Sequence, residues 1–273
     1  MTRSLLVDGH VHFHSCFRWD VFLEFVARNF SAARRVRGLG PEAPGCLLFT
    51  EAAGANAYQS ILHRGCLNGA PGWRIARADE DSILLAREDG ETIIVVPGRQ
   101  VVTAERLEVL SVGSVTSYPE GQPIRTVLQS VARHGAVAVV PWGFGKWWGR
   151  RGRIVRTLMD VHHDVPFCVG DNGGRGRWLP RPPLFQTAID FGIPVLGGSD
   201  PLPLPSHVTR AGSYGFVLDD WCETSRPAGA IKDRLRSLTR SPESFGHLSS
   251  TSAMVRSQLG LRWQRLRTPS QIS

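Results

Sequence analysis

Residues 8–14 read Asp8-Gly9-His10-Val11-His12-Phe13-His14, placing three histidines in five positions directly after the apolar run 4–7. In an extended segment, side chains two residues apart point to the same face, so these histidines share one. Imidazoles at i and i+2 at the end of an opening strand can offer two nitrogens to one divalent metal. The chemistry to expect is metal-assisted hydrolysis, in which a bound ion acidifies a water and polarises the bond to be broken. A lone histidine would be read as a surface or capping residue. Three of them beside an aspartate and a glycine point to a site.

Such a site needs a frame that brings distant groups to the end of that strand. Strand-like apolar runs at 4–7, 46–49, 92–96, 107–112, 136–140, 167–169 and 193–196 alternate with helical patterns at 18–30, 53–65, 122–134, 152–160 and 183–191. Near-continuous apolar strands separated by helices are what a parallel sheet or barrel produces. The predicted fold is α/β, a TIM-like barrel or a variant of it. Residues 73–77 and 81–94 break the rhythm and read as antiparallel strands turning at Asp89-Gly90, a β-hairpin insertion around 72–96. Beyond Cys222 the strand signal stops. Two helices at 226–238 and 250–259 and a basic, poorly ordered tail at 262–273 are expected there. The division is then 1–222 for the barrel and 223–273 for a C-terminal helical extension.

In α/β barrels functional groups gather on loops after the carboxyl ends of strands. In order, those positions supply His10, His12 and His14; Thr50-Glu51; Pro97-Gly98-Arg99-Gln100; Glu105 and Glu108; Pro141-Trp142-Gly143; Asp171-Asn172; and Gly197-Gly198-Ser199-Asp200. This ordered set, spread over about residues 5–215, resembles the PHP (polymerase and histidinol phosphatase) metal-dependent phosphoesterases. The resemblance implies a distorted (β/α)7 barrel of PHP type and a divalent metal, Mn, Zn, Fe or Mg. Asp8-Gly9-His10-Val11-His12 is similar to the family's opening Asp-x-His-x-His, which implies His10 and His12 as ligands. Glu51 stands for the aspartate of Thr-Asp-His, with Ala52 in the histidine's place. Gln100 falls where a metal-bridging glutamate would be, and Glu108 where a histidine would be. Gly198-Ser199-Asp200 matches the closing Gly-Ser-Asp, with Leu202 where a histidine would follow, and the Ala-His-Pro-Gly element lacks its histidine at Val140-Pro141. Ala52, Gln100, Pro141 and Leu202 cannot serve as imidazole or carboxylate donors. His10, His12, Glu51, Glu108 and Asp200 remain as metal ligands, Asp200 or Glu51 as the group accepting a proton from a coordinated water, and His207 as a residue that could swing in from the loop after Asp200. His14 has no counterpart in the pattern.

The reading that follows is a divergent PHP-like metal-dependent hydrolase, a phosphoesterase acting on an anionic small molecule or nucleotide. Arg99, Gln100, Lys146, Arg150, Arg151, Asn172, Arg175, Arg177 and His207 are the candidate substrate-binding residues, since arginine forks grip phosphate bidentately. Tryptophans interleaved with them, as in Lys146-Trp147-Trp148, could stack on a ring. Two alternatives stand beside it: a catalytically inactive barrel that binds a ligand or partner, and an amidohydrolase-type metal hydrolase, which also opens on His-x-His and closes on an aspartate. The segment 97–110 favours the phosphoesterase.

The 273 residues carry a formal charge of +8, yet only Lys146 and Lys232 are lysines. An arginine bias of that kind makes the charge a weak argument for nucleic acid. Five widely spaced cysteines without a Cys-x-x-Cys pair exclude a thiolate zinc centre and a disulfide framework. With no apolar segment of membrane-spanning length, a soluble cytoplasmic protein is expected. Trp19, Trp73 and Trp221 read as packing residues, His134-Gly135 as a helix end, and His162-His163 as surface.

Overall fold

Every apolar run that alternates with a helical pattern forms a strand. The computed structural model describes residues 3–67, 69–222 and 224–267. In chain order the elements are β1 (Arg3–Val11), α1 (Trp19–Arg37), β2 (Gly45–Phe49), α2 (Ala57–Arg64), β3 (Trp73–Ala78), β4 (Ile83–Arg87), β5 (Thr92–Val96), β6 (Gly98–Val102) and β7 (Glu108–Val112). There follow α3 (Ile124–Arg133), β8 (Val137–Pro141), α4 (Arg150–Asp160), β9 (Cys168–Asn172), α5 (Pro183–Asp190), β10 (Val195–Gly198), a 3-10 turn (Pro205–Thr209), β11 (Tyr214–Trp221), α6 (Pro227–Arg236), β12 (Ser244–Gly246) and α7 (Thr251–Arg267).

The strands do not close into the expected (β/α)7 barrel. They form a seven-stranded sheet, β12-β11-β1-β2-β5-β4-β3, and a five-stranded sheet, β10-β9-β8-β7-β6, both mixed in direction. The physical reason lies in β1. One of its edges pairs in parallel with β2, and the other, which a barrel would give to β10, is taken by antiparallel β11. The chain passes from the first sheet to the second across Pro97, between β5 and β6. Backbone hydrogen bonds still join the sheets near Glu51 and near His10. Glu51 N donates to Gly98 O at 3.1 Å and Gln100 N to Glu51 O at 2.9 Å, while Asp200 N donates to His10 O at 2.8 Å.

The expected hairpin insertion is also revised. β3, β4 and β5 run antiparallel in sequence, the β4–β5 turn falling at Asp89-Gly90, with Gly90 in the left-handed region at φ 92°. Because β5 pairs in parallel with β2, these strands extend the large sheet instead of sitting on a closed barrel. The strand signal does not stop at Cys222: β12, three residues long, pairs with β11. Residues 262–267, expected in the tail, continue helix α7, and residues 268–273 of that tail lie outside the described residues. Among the described residues no helix is long and apolar enough to cross a membrane.

Three apolar layers hold this arrangement. α1 and α2 lay Phe22, Val26, Phe30, Tyr58 and Ile61 against the large sheet. α3, α4 and α5 cover the small sheet with Val127, Leu128, Val155 and Phe185. Between the sheets, Leu5, Val7, Leu48, Val96, Leu110, Val139 and Phe216 pack together, closed off by Ile231 and Leu235 of α6. Alternation along β1 does this directly, since Leu5 and Val7 face the layer between the sheets and Leu6 faces α1. Fully burying side chains such as Phe22, Phe30 and Phe49 contributes about 1.5–3 kcal/mol each. Trp221 is buried, Trp19 stacks on Phe13 at 3.7 Å, and His134 ends α3 ahead of left-handed Gly135.

Candidate metal centre

Two glycine steps bring the ends of β1 and β10 together. A Cβ on Gly198 would lie 2.5 Å from the backbone N and the Cβ of His10, and a Cβ on Gly9 would lie 2.7 Å from the carbonyl oxygen of Gly197. Only residues without a side chain allow backbones to cross this closely. Asp8, wholly buried, fixes the crossing. Its carboxylate accepts bonds from Ser199 N (2.8 Å), Ser199 Oγ (2.5 Å), Gly212 N (2.7 Å) and His10 N (3.3 Å). Burial pushes its carboxyl up to about 6 against the opposing pull of those four donors. Nothing in the sequence marked Asp8 as more than part of the opening motif, yet it joins β1, the end of β10 and the approach to β11.

At that crossing His10, His12 and Asp200 converge. Their potential ligand atoms all lie within 4.8 Å of one another, which could hold a metal ion. His10 Nε2 and His12 Nε2 stand 3.0 Å apart, and Asp200 Oδ1 is 3.6 Å from each. Burial and then the neighbouring His10 push His12 down to about 3, so its imidazole is neutral at ordinary pH, the form a metal ligand requires. The Gln100 amide sits beside His12 as a hydrogen-bonding neighbour. Burial pushes Asp200 up, but His10, His12, Lys146 and the bond from Asn172 outweigh it and hold the carboxyl at about 2. Asn172 Nδ2 donates to Asp200 Oδ2, and Asn172 Oδ1 accepts from Gly174 N at 2.6 Å, which fixes the amide's orientation. Asp200 itself takes a left-handed backbone, φ 46°. Two imidazoles and one carboxylate fit Zn2+, Mn2+ or Fe2+; Mg2+ prefers an all-oxygen shell.

Glu51 and Glu108 stand outside this group. Glu51 accepts from Tyr58 N at the start of α2 (2.9 Å) and pairs with Arg99 at 3.2 Å, while Glu108 is the partner of Lys146. The candidate substrate-binding arginines are similarly engaged. Arg99 donates to Ala55 O at 2.7 Å, Arg151 to Gly145 O at 2.8 Å, and Arg175 grips Asp171 through bonds of 2.9 and 2.8 Å that Tyr214 OH joins at 2.9 Å. Arg177 is exposed, and Arg150, also exposed, lines a separate cavity with Arg125 and Arg153. His14 uses Nε2 on Pro201 O at 2.7 Å, holding the loop after Asp200. His207 accepts Leu202 N on Nδ1 (3.0 Å), so the proton is on Nε2, which donates to Ser257 Oγ (2.8 Å), whose hydroxyl bonds Ala253 O (2.8 Å). That chain ties α7 to the loop after β10.

A cavity of about 500 Å³ opens on Asp200. Trp142, Phe144, Lys146 and Asn172 line it, together with Met254 and Leu261 of α7. Arg210, just past the 3-10 turn, also lines it and was not among the residues foreseen.

No protein-family model matches the chain, and no curated protein matches it. Among solved structures it is similar to PsfC from Pseudomonas syringae PB-5123, at 16% identity over 96% of this chain and 98% of that one, with a TM-score of 0.58. The lesion-specific endonuclease PfuEndoQ from Pyrococcus furiosus follows at 13% identity, 84% and 56% coverage and a TM-score of 0.49. Endonuclease Q in complex with a 27-mer duplex bearing an abasic lesion follows at 12%, 87% and 57%, and 0.47. The likeness to PsfC is one of fold.

Proposed function

We propose that this chain is a metal-dependent hydrolase of PHP type that holds one divalent ion on His10, His12 and Asp200 and acts on a small anionic substrate in the cavity beside them. The observation that carries this reading is the convergence of two buried imidazoles and a carboxylate from opposite ends of the chain, the carboxylate of Asp200 lining that cavity. When bound, the ion would supply Lewis acidity and a water acidified toward about 7. The chain's own residues prepare the place for it. Burial keeps His12 deprotonated, Asn172 fixes the free oxygen of Asp200, and Asp8 holds both strand ends. With its carboxyl held at about 2, Asp200 is an anion at any working pH, which suits a ligand and makes it a poor proton carrier. Glu51, paired with Arg99, serves the scaffold in this reading, and so does Glu108, paired with Lys146. Lys146 still places a positive charge on the cavity wall for an anionic group.

The test is metal analysis of the purified protein together with hydrolysis of phosphate mono- and diesters. One equivalent of Zn, Mn or Fe is expected in the wild type and none in His10→Ala or Asp200→Ala, with turnover lost in the same variants. Wild-type protein that takes up no stoichiometric metal from any of these ions would overturn the proposal.

A further inference from the structure

Beside the cavity that opens on Asp200 lies a smaller one of about 210 Å³, and Trp142 and Phe144 line both. The smaller cavity is lined mostly by rings, Trp147 and Trp148 among them, with the three prolines of residues 180–183. Two of the rings are open to water, Trp148 at 62% exposure and Phe144 at 44%, and they meet edge to face at 5.1 Å. Trp147 is buried, and its indole N–H has no hydrogen-bond partner among the described residues. Buried donors are almost always satisfied, so one left unpaired beside exposed apolar rings marks a place for a ligand. An indole nitrogen only donates, so that ligand must accept.

We infer that this cavity binds a planar heteroaromatic ring that presents a hydrogen-bond acceptor to Trp147, and that the ring belongs to the substrate whose hydrolysable group lies in the larger cavity. The second half rests on the proposed metal site; the first half does not. Size points to part of a molecule, since whole small ligands occupy about 300–1,000 Å³ and this space of about 210 Å³ falls below that range. The lining points to a flat part. Contacts between rings add to the gain from buried area, and a rigid ring gives up less freedom on binding than a chain of the same size. Trp142 and Phe144, shared by the two cavities, put the remainder of the molecule in the space that Asp200 lines.

The tryptophan indole N–H resonances of the nitrogen-15-labelled full chain, held metal-free by chelator, test the ring site. The Trp147 signal is the one missing from Trp147→Phe. Millimolar quinoline, which accepts through its ring nitrogen, should move that signal downfield, the direction of a new hydrogen bond, and should also shift Trp148. Indole, which cannot accept, should shift Trp148 without moving Trp147 downfield, and cyclohexanol should shift neither. Trp148→Ala, a change at an exposed ring, should weaken quinoline by about fivefold, the loss of one ring contact. Should Trp147→Phe fail to fold, Trp148→Ala decides: unchanged affinity for quinoline overturns the inference, as do equal shifts from cyclohexanol and quinoline. In the zinc-loaded chain, 6-quinolyl phosphate should show a KM well below that of methyl phosphate, and Trp148→Ala should narrow the gap. Turnover of methyl phosphate without any response to quinoline overturns the inference and leaves the metal reading standing. Quinoline binding in a chain that takes up no zinc supports the ring site and removes the metal reading alone.

Discussion

Gly198→Ala is the most direct probe of how the site is assembled. The added methyl would sit 2.5 Å from the N and Cβ of His10 and 3.0 Å from Gly9 C, whereas unstrained carbon contacts lie at about 3.5–4.0 Å. The groups in the way are mostly backbone, so β1 and β10 must part by about 1 Å. Overpacking of this kind costs about 1–3 kcal/mol, and losing the 2.8 Å bond from Asp200 N to His10 O adds about 1 kcal/mol. The expected loss is therefore about 2–4 kcal/mol by urea denaturation. The same displacement exceeds by several-fold the ~0.2 Å tolerance of metal–ligand distances. Zinc affinity, measured by competition with a chelating dye, should fall at least tenfold. Gly229→Ala is the matched control. Its Cβ would meet nothing closer than 3.8 Å, and as a helical glycine in α6 it should be neutral or gain up to about 1 kcal/mol. The reasoning fails if Gly198→Ala loses less than about 0.5 kcal/mol and keeps its zinc affinity within twofold.

Two further outcomes follow from buried titratable groups. Burial first, then Arg210, push His207 down to about 4. Between that value and the ordinary value near 6.5 the unfolded chain takes up the proton more readily. Stability should therefore rise with pH across this window, by about 3 kcal/mol from this group, and His207→Ala should flatten the rise in denaturation curves collected from pH 4 to 7. Cys46 and Cys168 are buried, and burial raises both thiols, Cys168 to about 12, while Cys16, Cys66 and Cys222 are exposed. An aromatic disulfide reagent should titrate three thiols in native protein and five after unfolding; five fast thiols in the native state would contradict the packing between the sheets.

What the sequence could show divides along physical lines. Apolar runs and helical periodicity are local, and they located nine strands and seven helices. Barrel closure is not local. Whether the free edge of β1 is given to β10 or to β11 is decided by pairing across some two hundred residues, and the run at 214–221 is irregular enough to be passed over. The site divides in the same way. His10 and His12 are legible because i and i+2 share a face. Glu51 and Glu108 carried the right chemistry at the right ends of strands, but a carboxylate aims at whatever cation reaches it, and Arg99 and Lys146 lie 48 and 38 residues further on. Arg210 had the opposite disguise. It stands in no motif, and its one signal is isolation, since no acidic residue occurs between Asp200 and Asp219.

The left-handed backbone of Asp200 has a consequence for how such a protein could change over time. An L-residue other than glycine at φ 46° gives up about 1 kcal/mol, less for aspartate than for most residues. Glycine at this position would relax the turn and also free a charge from a crowded wall. Folding and the proposed metal ligation therefore favour different residues at one position, and a lineage released from the need for the carboxylate would gain stability by losing it.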